Sequence, residues 1–305
     1  MTTTASTRLE PVPTGEPGAV RVEDLGKRYR RLRAPRELWA LRHCGFTLPA
    51  GRVAALVGAN GAGKTTLLSV LAGVLTPTEG TVVVNGIDDT PGRVAFVAQE
   101  KPLYRRFTAT DMLRFGARMN RVWDSDTALR WLERFGIPLN QACGLLSGGQ
   151  QAQVAFAVAL GSRPSVLLLD EPLSNLDPLV RREVIGELLA TVNDTGMTLL
   201  LSTHVVTDLA GVADHLLLLA SGRLLIDGDV DELLARHLTY LGPRADTPPG
   251  PGVVVTASHT ERQSTFLVRL PEGATPQPVA EPWLAKAVTL EQFVLAQLAT
   301  SGGRR

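Results

Sequence analysis

Between Val20 and about Leu238, short apolar runs alternate with stretches whose apolar residues recur every three or four positions. The runs RVAALVG (52–58), TVVVNG (81–86), RVAFVAQ (93–99), SVLLLD (165–170), MTLLLST (197–203) and HLLLLA (215–220) predict strands. Several are apolar throughout rather than alternating, the pattern of parallel strands covered on both faces. Helical periodicity is expected over about 64–73, 109–135, 148–160, 178–192, 205–212 and 229–238. The alternation predicts an α/β core.

Two departures from that rhythm divide the chain. From Ala109 to about Gly144 helical periodicity continues with no strand between, as in a helical insertion. After Tyr240 the segment LGPRADTPPGPG reads as a Pro/Gly linker, followed by strand-like GVVVTASH and STFLVRL and a helix-like TLEQFVLAQLAT. The expected organisation is a tail over 1–18, a main domain over 19–238 with its helical part near 105–160, a linker over 239–252 and a small α+β unit over 253–300. No internal repeat is evident.

Composition narrows the partners. Over 305 residues, 31 Lys and Arg balance 30 Asp and Glu, so no global field recommends nucleic acid or an acidic surface. Cys44 and Cys143 lack ligand-like neighbours, which argues against a metal cluster or disulfide framework and fits a reducing compartment. The Thr/Pro/Gly-rich opening MTTTASTRLEPVPTGEPGAV has no signal-peptide core and reads as a disordered tail. No apolar run approaches the roughly 18–20 residues that cross a bilayer. The expectation is a chain of a reducing cytoplasm that does not span a membrane by itself, with docking onto a protein that does left open.

Three stretches carry chemistry. GANGAGKTT, from Gly58 to Thr66, follows a strand and opens a helix, matching the phosphate-binding pattern G-x-x-x-x-G-K-[ST]. Gly58, Gly61 and Gly63, with Ala59, Asn60 and Ala62 between them, let backbone N–H groups wrap phosphates. Lys64 is expected to reach the β and γ phosphates, Thr65 to ligate Mg²⁺, and Thr66 to complete the loop. VLLLDEP ends an apolar strand in two acids: Asp170, suited to hold Mg²⁺, and Glu171, suited to polarise a water as general base. Taken by themselves, acids at a strand end could equally be solvated. In LSGGQQAQVAFAVALG, Ser147 caps a helix whose first turn contains Gly148, Gly149 and Gln150, a second anion site.

The ordered set GANGAGKTT, LSGGQ, LLLDEP, SNLD and STH resembles the ATP-binding subunits of ABC transporters over about residues 19–238. The resemblance implies a P-loop NTPase cassette with a RecA-like core, an N-terminal antiparallel β subdomain and a helical subdomain, here with a small C-terminal α+β appendage. It implies hydrolysis of ATP with Mg²⁺ and a head-to-tail pair of cassettes, identical or not. Ser147, Gly148, Gly149 and Gln150 of one would then grip the γ-phosphate held by the other. It also implies roles for Tyr29 (stacking on adenine, with a core position as the alternative), Gln99 (sensing Mg²⁺ and the water), His204 (contacting the γ-phosphate) and Asp177 (communicating across the dimer as well as capping a helix). After LSGGQ the chain departs from the family: Gln151-Ala152-Gln153 replaces basic residues and Val158 an Arg, reducing positive charge near the partner phosphate.

The expected function is to power a separate transmembrane permease from the inner face of the cell membrane, with EKPLYRRFTATDML (100–113) as the docking surface. VTLEQFVLAQL near the C-terminus is similar to the extension of drug and natural-product exporter ATPases, so export is expected, with import the alternative. The basic run KRYRRLRAPR (27–36) is either a solvated face or a contact for anionic lipid or a partner. A non-transport ATPase of the superfamily acting on nucleic acid is the competing class. The balanced charge, the single cassette and the short insertion disfavour it.

Overall fold

The computed structural model describes residues 18–29, 38–84, 93–174, 176–271, 273–274 and 278–302. The tail expected before residue 18 and the basic run beyond Tyr29 lie outside them. A central six-stranded sheet has the order β5 (Val94–Val97), β6 (Val166–Leu169), β7 (Thr198–Thr203), β3 (Val53–Val57), β8 (His215–Ala220), β9 (Arg223–Asp229). The first five strands run parallel and β9 closes the edge antiparallel to β8. β3, β6 and β7 are buried along their whole length, as their uninterrupted apolar sequences require.

Against this sheet lies a three-stranded antiparallel sheet, β1 (Gly18–Tyr29) flanked by β2 (Leu38–Pro49) and β4 (Glu79–Val84). Its Val20, Val22, Leu25, Leu41 and Leu48 share one core with Leu67 and Leu68 of α1 (Lys64–Leu71). The opposite face of the central sheet packs on α5 (Pro178–Thr195) and on a helical group of α2 (Ala109–Met119), α3 (Ser125–Arg134) and α4 (Gly148–Gly161). The helix expected over 109–135 is therefore two. It breaks at Asn120–Asp124 because the Trp123 ring seats against Gly116 and Gly161, where an added Cβ would meet the ring at 2.6 and 2.7 Å. The Asp124 carboxylate then restarts the helix by accepting from Thr127 N.

The C-terminal part corrects two boundaries. The helix expected over 229–238 is α6 (Val230–Ala235), which stops before 238, and β10 (His237–Pro243) is an inner strand of a four-stranded sheet in the order β11 (Val253–His259), β12 (Gln263–Arg269), β10, β13 (Leu284–Ala287). The segment expected as a linker from 239 thus begins with ladder pairing, in which buried Tyr240 stands opposite Phe266. α6 (Val230–Ala235) feeds β10 directly. The closing helix α7 (Leu290–Gly302) puts Leu290, Phe293 and Val294 into the main core with Leu209, Leu216, Leu218 and Val230. The 205–212 segment contains a short 3-10 turn at Val206–Leu209 rather than an α-helix. Cys44 and Cys143 are both free and buried.

Candidate active site

Four adjacent strands, β5, β6, β7 and β3, deliver the chemistry at their carboxyl ends. Gln99 follows β5, Asp170 and Glu171 follow β6, Ser202 is the penultimate residue of β7 with His204 just beyond that strand, and the phosphate loop follows β3. An open cavity of about 480 Å³ there is lined by Trp39, Ala59–Thr66, Gln99, Glu171 and His204, with Leu38 and Ala40.

The loop conformation explains its glycines. Gly61 and Gly63 have φ of 78° and 110°, in the left-handed region that glycine adopts without strain. A Cβ on Gly63 would stand 2.6 Å from the Ala40 carbonyl oxygen, and one on Gly58 2.4 Å from that of Leu219. Gly63 precedes α1 with no side-chain cap, so the N–H groups of the first turn remain for an anion.

The charged groups form one chain of contacts. Lys64 is buried, its Nζ donating to Gly58 O at 2.8 Å and lying 3.2 Å from Glu171 Oε1. The other carboxylate oxygen, Oε2, is 2.9 Å from His204 Nδ1, on a side chain half exposed to solvent. Glu171 is itself fixed: its φ is 47°, and its N–H donates to Ser202 Oγ at 2.9 Å. The Ser202 hydroxyl in turn donates a hydrogen bond to Asp170 Oδ1 at 2.6 Å. Asp170 Oδ2 is buried and has no hydrogen-bond partner among the described residues.

That orphaned oxygen decides how well the site fits a divalent cation. The described residues contain no cluster of three or more His, Cys, Asp or Glu side chains. An unpartnered Asp170 carboxylate oxygen and the hydroxyl of exposed Thr65 are donors of the kind that suits Mg²⁺, which takes few protein ligands and completes its shell with phosphate oxygens and water. Mg²⁺ there would neutralise charge on the phosphates.

Not every expected site residue gathers here. Tyr29 stands opposite Leu38 at the end of the β1–β2 ladder, is 37% exposed and does not line the cavity. Trp39 does, and sequence reasoning missed it because the phosphate-loop context draws attention to the aromatic before it. Ser147–Gln150 also lie away from this cavity. They close a reciprocal capping box, Gln150 N to Ser147 Oγ at 3.2 Å and Ser147 N to Gln150 Oε1 at 3.0 Å. Ser147 and Gly148 are exposed. Asp177 caps α5 by accepting from Leu179 and Val180 N–H at 3.1 and 3.0 Å, ahead of Pro178, and does not line the cavity.

Residues 41–174 match the model of the ABC transporter family. The thiamine import ATP-binding protein ThiQ of Shigella boydii is 34% identical over 212 residues, 65% of this chain and 91% of that protein. The chain belongs to the ABC transporter family. The molybdate/tungstate import ATP-binding protein WtpC of Pyrococcus abyssi is similar at 31% identity over 226 residues, 71% of this chain and 64% of that one. A dimeric bacterial ABC transporter cassette, MJ0796, shares the fold with a TM-score of 0.62 at 23% identity, over 69% of this chain and 98% of its own. As an ABC cassette the chain binds ATP with Mg²⁺ and hydrolyses it. No described helix is long and apolar enough to cross a membrane.

Proposed function

We propose that this cassette is the motor of an ABC importer, pairing head to tail with a second cassette and driving a separate membrane permease. The observation that carries the catalytic reading is Glu171, held by Lys64 on one oxygen and His204 on the other at the mouth of the phosphate loop. Phosphate oxygens drawn to the Lys64 ammonium compete with Glu171 for it. The released carboxylate can then take the proton of an attacking water, with His204 beside it to steady the charge. Thr65 and Asp170 would hold Mg²⁺, and Gln99 lines the cavity that Thr65 lines. Trp39, rather than Tyr29, offers an aromatic wall for the nucleotide base in this cavity.

Pairing is supported by the placement of Ser147–Gln150. Their helix start is exposed, and the capping box leaves the first-turn N–H groups of Gly148 and Gly149 without intrahelical partners. Those donors lie outside the cavity of their own chain, so a phosphate gripped by them belongs to a second cassette.

Import is favoured by the names of the relatives, which are proteins of thiamine and of molybdate/tungstate import. Export, expected from the C-terminal tail, has no support among them. Right-side-out membrane vesicles loaded with ATP and carrying the cassette and its permease test the direction, with thiamine and molybdate as first probes. Accumulation that stops with Glu171→Gln supports import. ATP-driven accumulation by inside-out vesicles instead reverses the direction while leaving the motor reading intact.

A further inference from the structure

Two loops flank the catalytic acids. One runs from Glu171 to the Asp177 cap of α5, the other from His204 through the 3-10 turn at Val206–Leu209. A small cavity of about 80 Å³ lies between them, with Glu171, Ser174, Arg181, His204 and Asp208 in its wall. The first loop is drawn tight by its own turns, Ser174 Oγ donating to Glu171 O at 3.0 Å and Leu176 N to Leu173 O at 3.2 Å. Among the described residues, hydrogen bonds link the two loops at two places. At one, the Glu171 carboxylate meets His204. At the other, Arg181 in α5 reaches both loops: its Nε donates to Leu176 O at 2.9 Å and its Nη1 to Asp208 Oδ2 at 3.4 Å.

These contacts close a ring around the cavity: Glu171, the turns to Leu176, Arg181, Asp208, the turn back to His204, and the Glu171 carboxylate again. Asp208 is a firm anchor, because its N–H donates to Val205 O at 3.4 Å and the next residue, Leu209, is wholly buried in the core that Phe293 and Val294 of α7 enter. The Arg181 and Asp208 side chains are 28% and 23% exposed, and an ion pair open to water adds little stability. What the pair does supply is geometry. The guanidinium is a rigid planar fork, so its two donors hold the Leu176 carbonyl and the Asp208 carboxylate in one fixed relation, which a single lysine ammonium does not. Arg181 does not line the nucleotide cavity, so it acts through the groups it holds.

We propose that Arg181 is a positioning residue for hydrolysis: it ties the turn after His204 to the loop before Asp177, so that a shift of the Asp177 loop, when a second cassette closes on it, reaches the His204–Glu171 contact. This rests on the paired-motor reading above and adds the side chain through which closure is felt at the catalytic acids.

The test uses the full chain. Arg181→Met keeps the aliphatic stem and removes both donors. Phosphate-release kinetics should show kcat lowered about tenfold to a hundredfold, with KM for MgATP changed by less than about twofold. Titration calorimetry should return the parental stoichiometry of bound nucleotide. Asp208→Ala breaks the link from its other end and should lower kcat by a similar factor. The double variant should be no slower than either single one, as two residues acting through one contact require. Arg181→Lys, with the charge but not the fork, should recover part of kcat. Parental kcat in Arg181→Met or Asp208→Ala would overturn the proposal, and so would independent, multiplying losses in the double variant. A fall in kcat matched in both single variants by an equal fall in binding stoichiometry would overturn it too, since the residues would then only support folding. Parental kcat in Arg181→Met beside an ATP-bound dimer of Glu171→Gln removes the role of Arg181 and leaves the motor reading intact. Failure of Glu171→Gln to form that dimer removes the motor reading and this proposal with it.

Discussion

Ser202 lies wholly inside the protein, yet its hydroxyl is the joint between the two acids that follow β6. Ser202→Ala removes one hydrogen bond to a carboxylate and leaves the Glu171 N–H unpaired where no water reaches it. A hydrogen bond to a charged group contributes about 1.5–3 kcal/mol and a stranded buried donor costs about 1–3 kcal/mol, so the combined loss should be about 3–5 kcal/mol. For a chain of this size that corresponds to a fall in Tm of roughly 6–15 °C. The positive φ of Glu171 is also held by that N–H contact, so the carboxylate should drift from Lys64 and His204. A displacement near 1 Å typically costs about 10²-fold in turnover. Scanning calorimetry and phosphate release at saturating MgATP read the two effects separately. A variant with parental Tm and parental kcat would refute the claim that this hydroxyl organises the site.

Other changes test other parts of the account. Gly63→Ala should abolish nucleotide binding measured by titration calorimetry, since its Cβ would meet the Ala40 carbonyl and its φ is 110°; unchanged affinity would show that the loop tolerates a side chain there. Phe293→Ala should lower the stability of the whole chain by about 3–5 kcal/mol in a single transition, because Phe293 shares a core with Leu216 and Leu218; early melting of the C-terminal part with an unshifted main transition would contradict this. His237 is buried with Nδ1 on Leu233 O at 2.7 Å and Nε2 unpaired among the described residues. Burial holds its pKa below the ordinary 6.5, with Arg269 adding to the effect. Above pH 6.5 folded and unfolded states are both neutral there; as pH falls below it the unfolded chain takes the proton first, and stability is lost down through the folded pKa. His237→Gln should flatten that decline below about pH 6.5, and a slope as steep as the parent's would place the titration elsewhere.

Much of the nucleotide site was legible because its chemistry is local. A phosphate loop needs glycines, a lysine and a hydroxyl within nine positions, and apolar runs ending in Asp170-Glu171 or followed by His204 announce buried parallel strands. What escaped depended on tertiary partners. The break between α2 and α3 comes from Trp123 packing on glycines 7 positions before and 38 after it, which no local period records. β10 was hidden because His237-Leu238-Thr239-Tyr240 reads as the end of a helix and becomes a strand only by pairing with β12. Ser202 and Trp39 were invisible for the same reason: a serine in an apolar run and a lone tryptophan acquire roles only when the fold sets them against Asp170 and the loop.

The central claim is that Glu171 takes the proton from water in a pocket completed by a second cassette. Glu171→Gln incubated with MgATP, followed by size-exclusion chromatography and analysis of the bound nucleotide, tests it most directly. A dimer carrying unhydrolysed ATP, with turnover reduced about 10²- to 10⁴-fold, is the predicted result. A monomer that releases phosphate at the parental rate would contradict it.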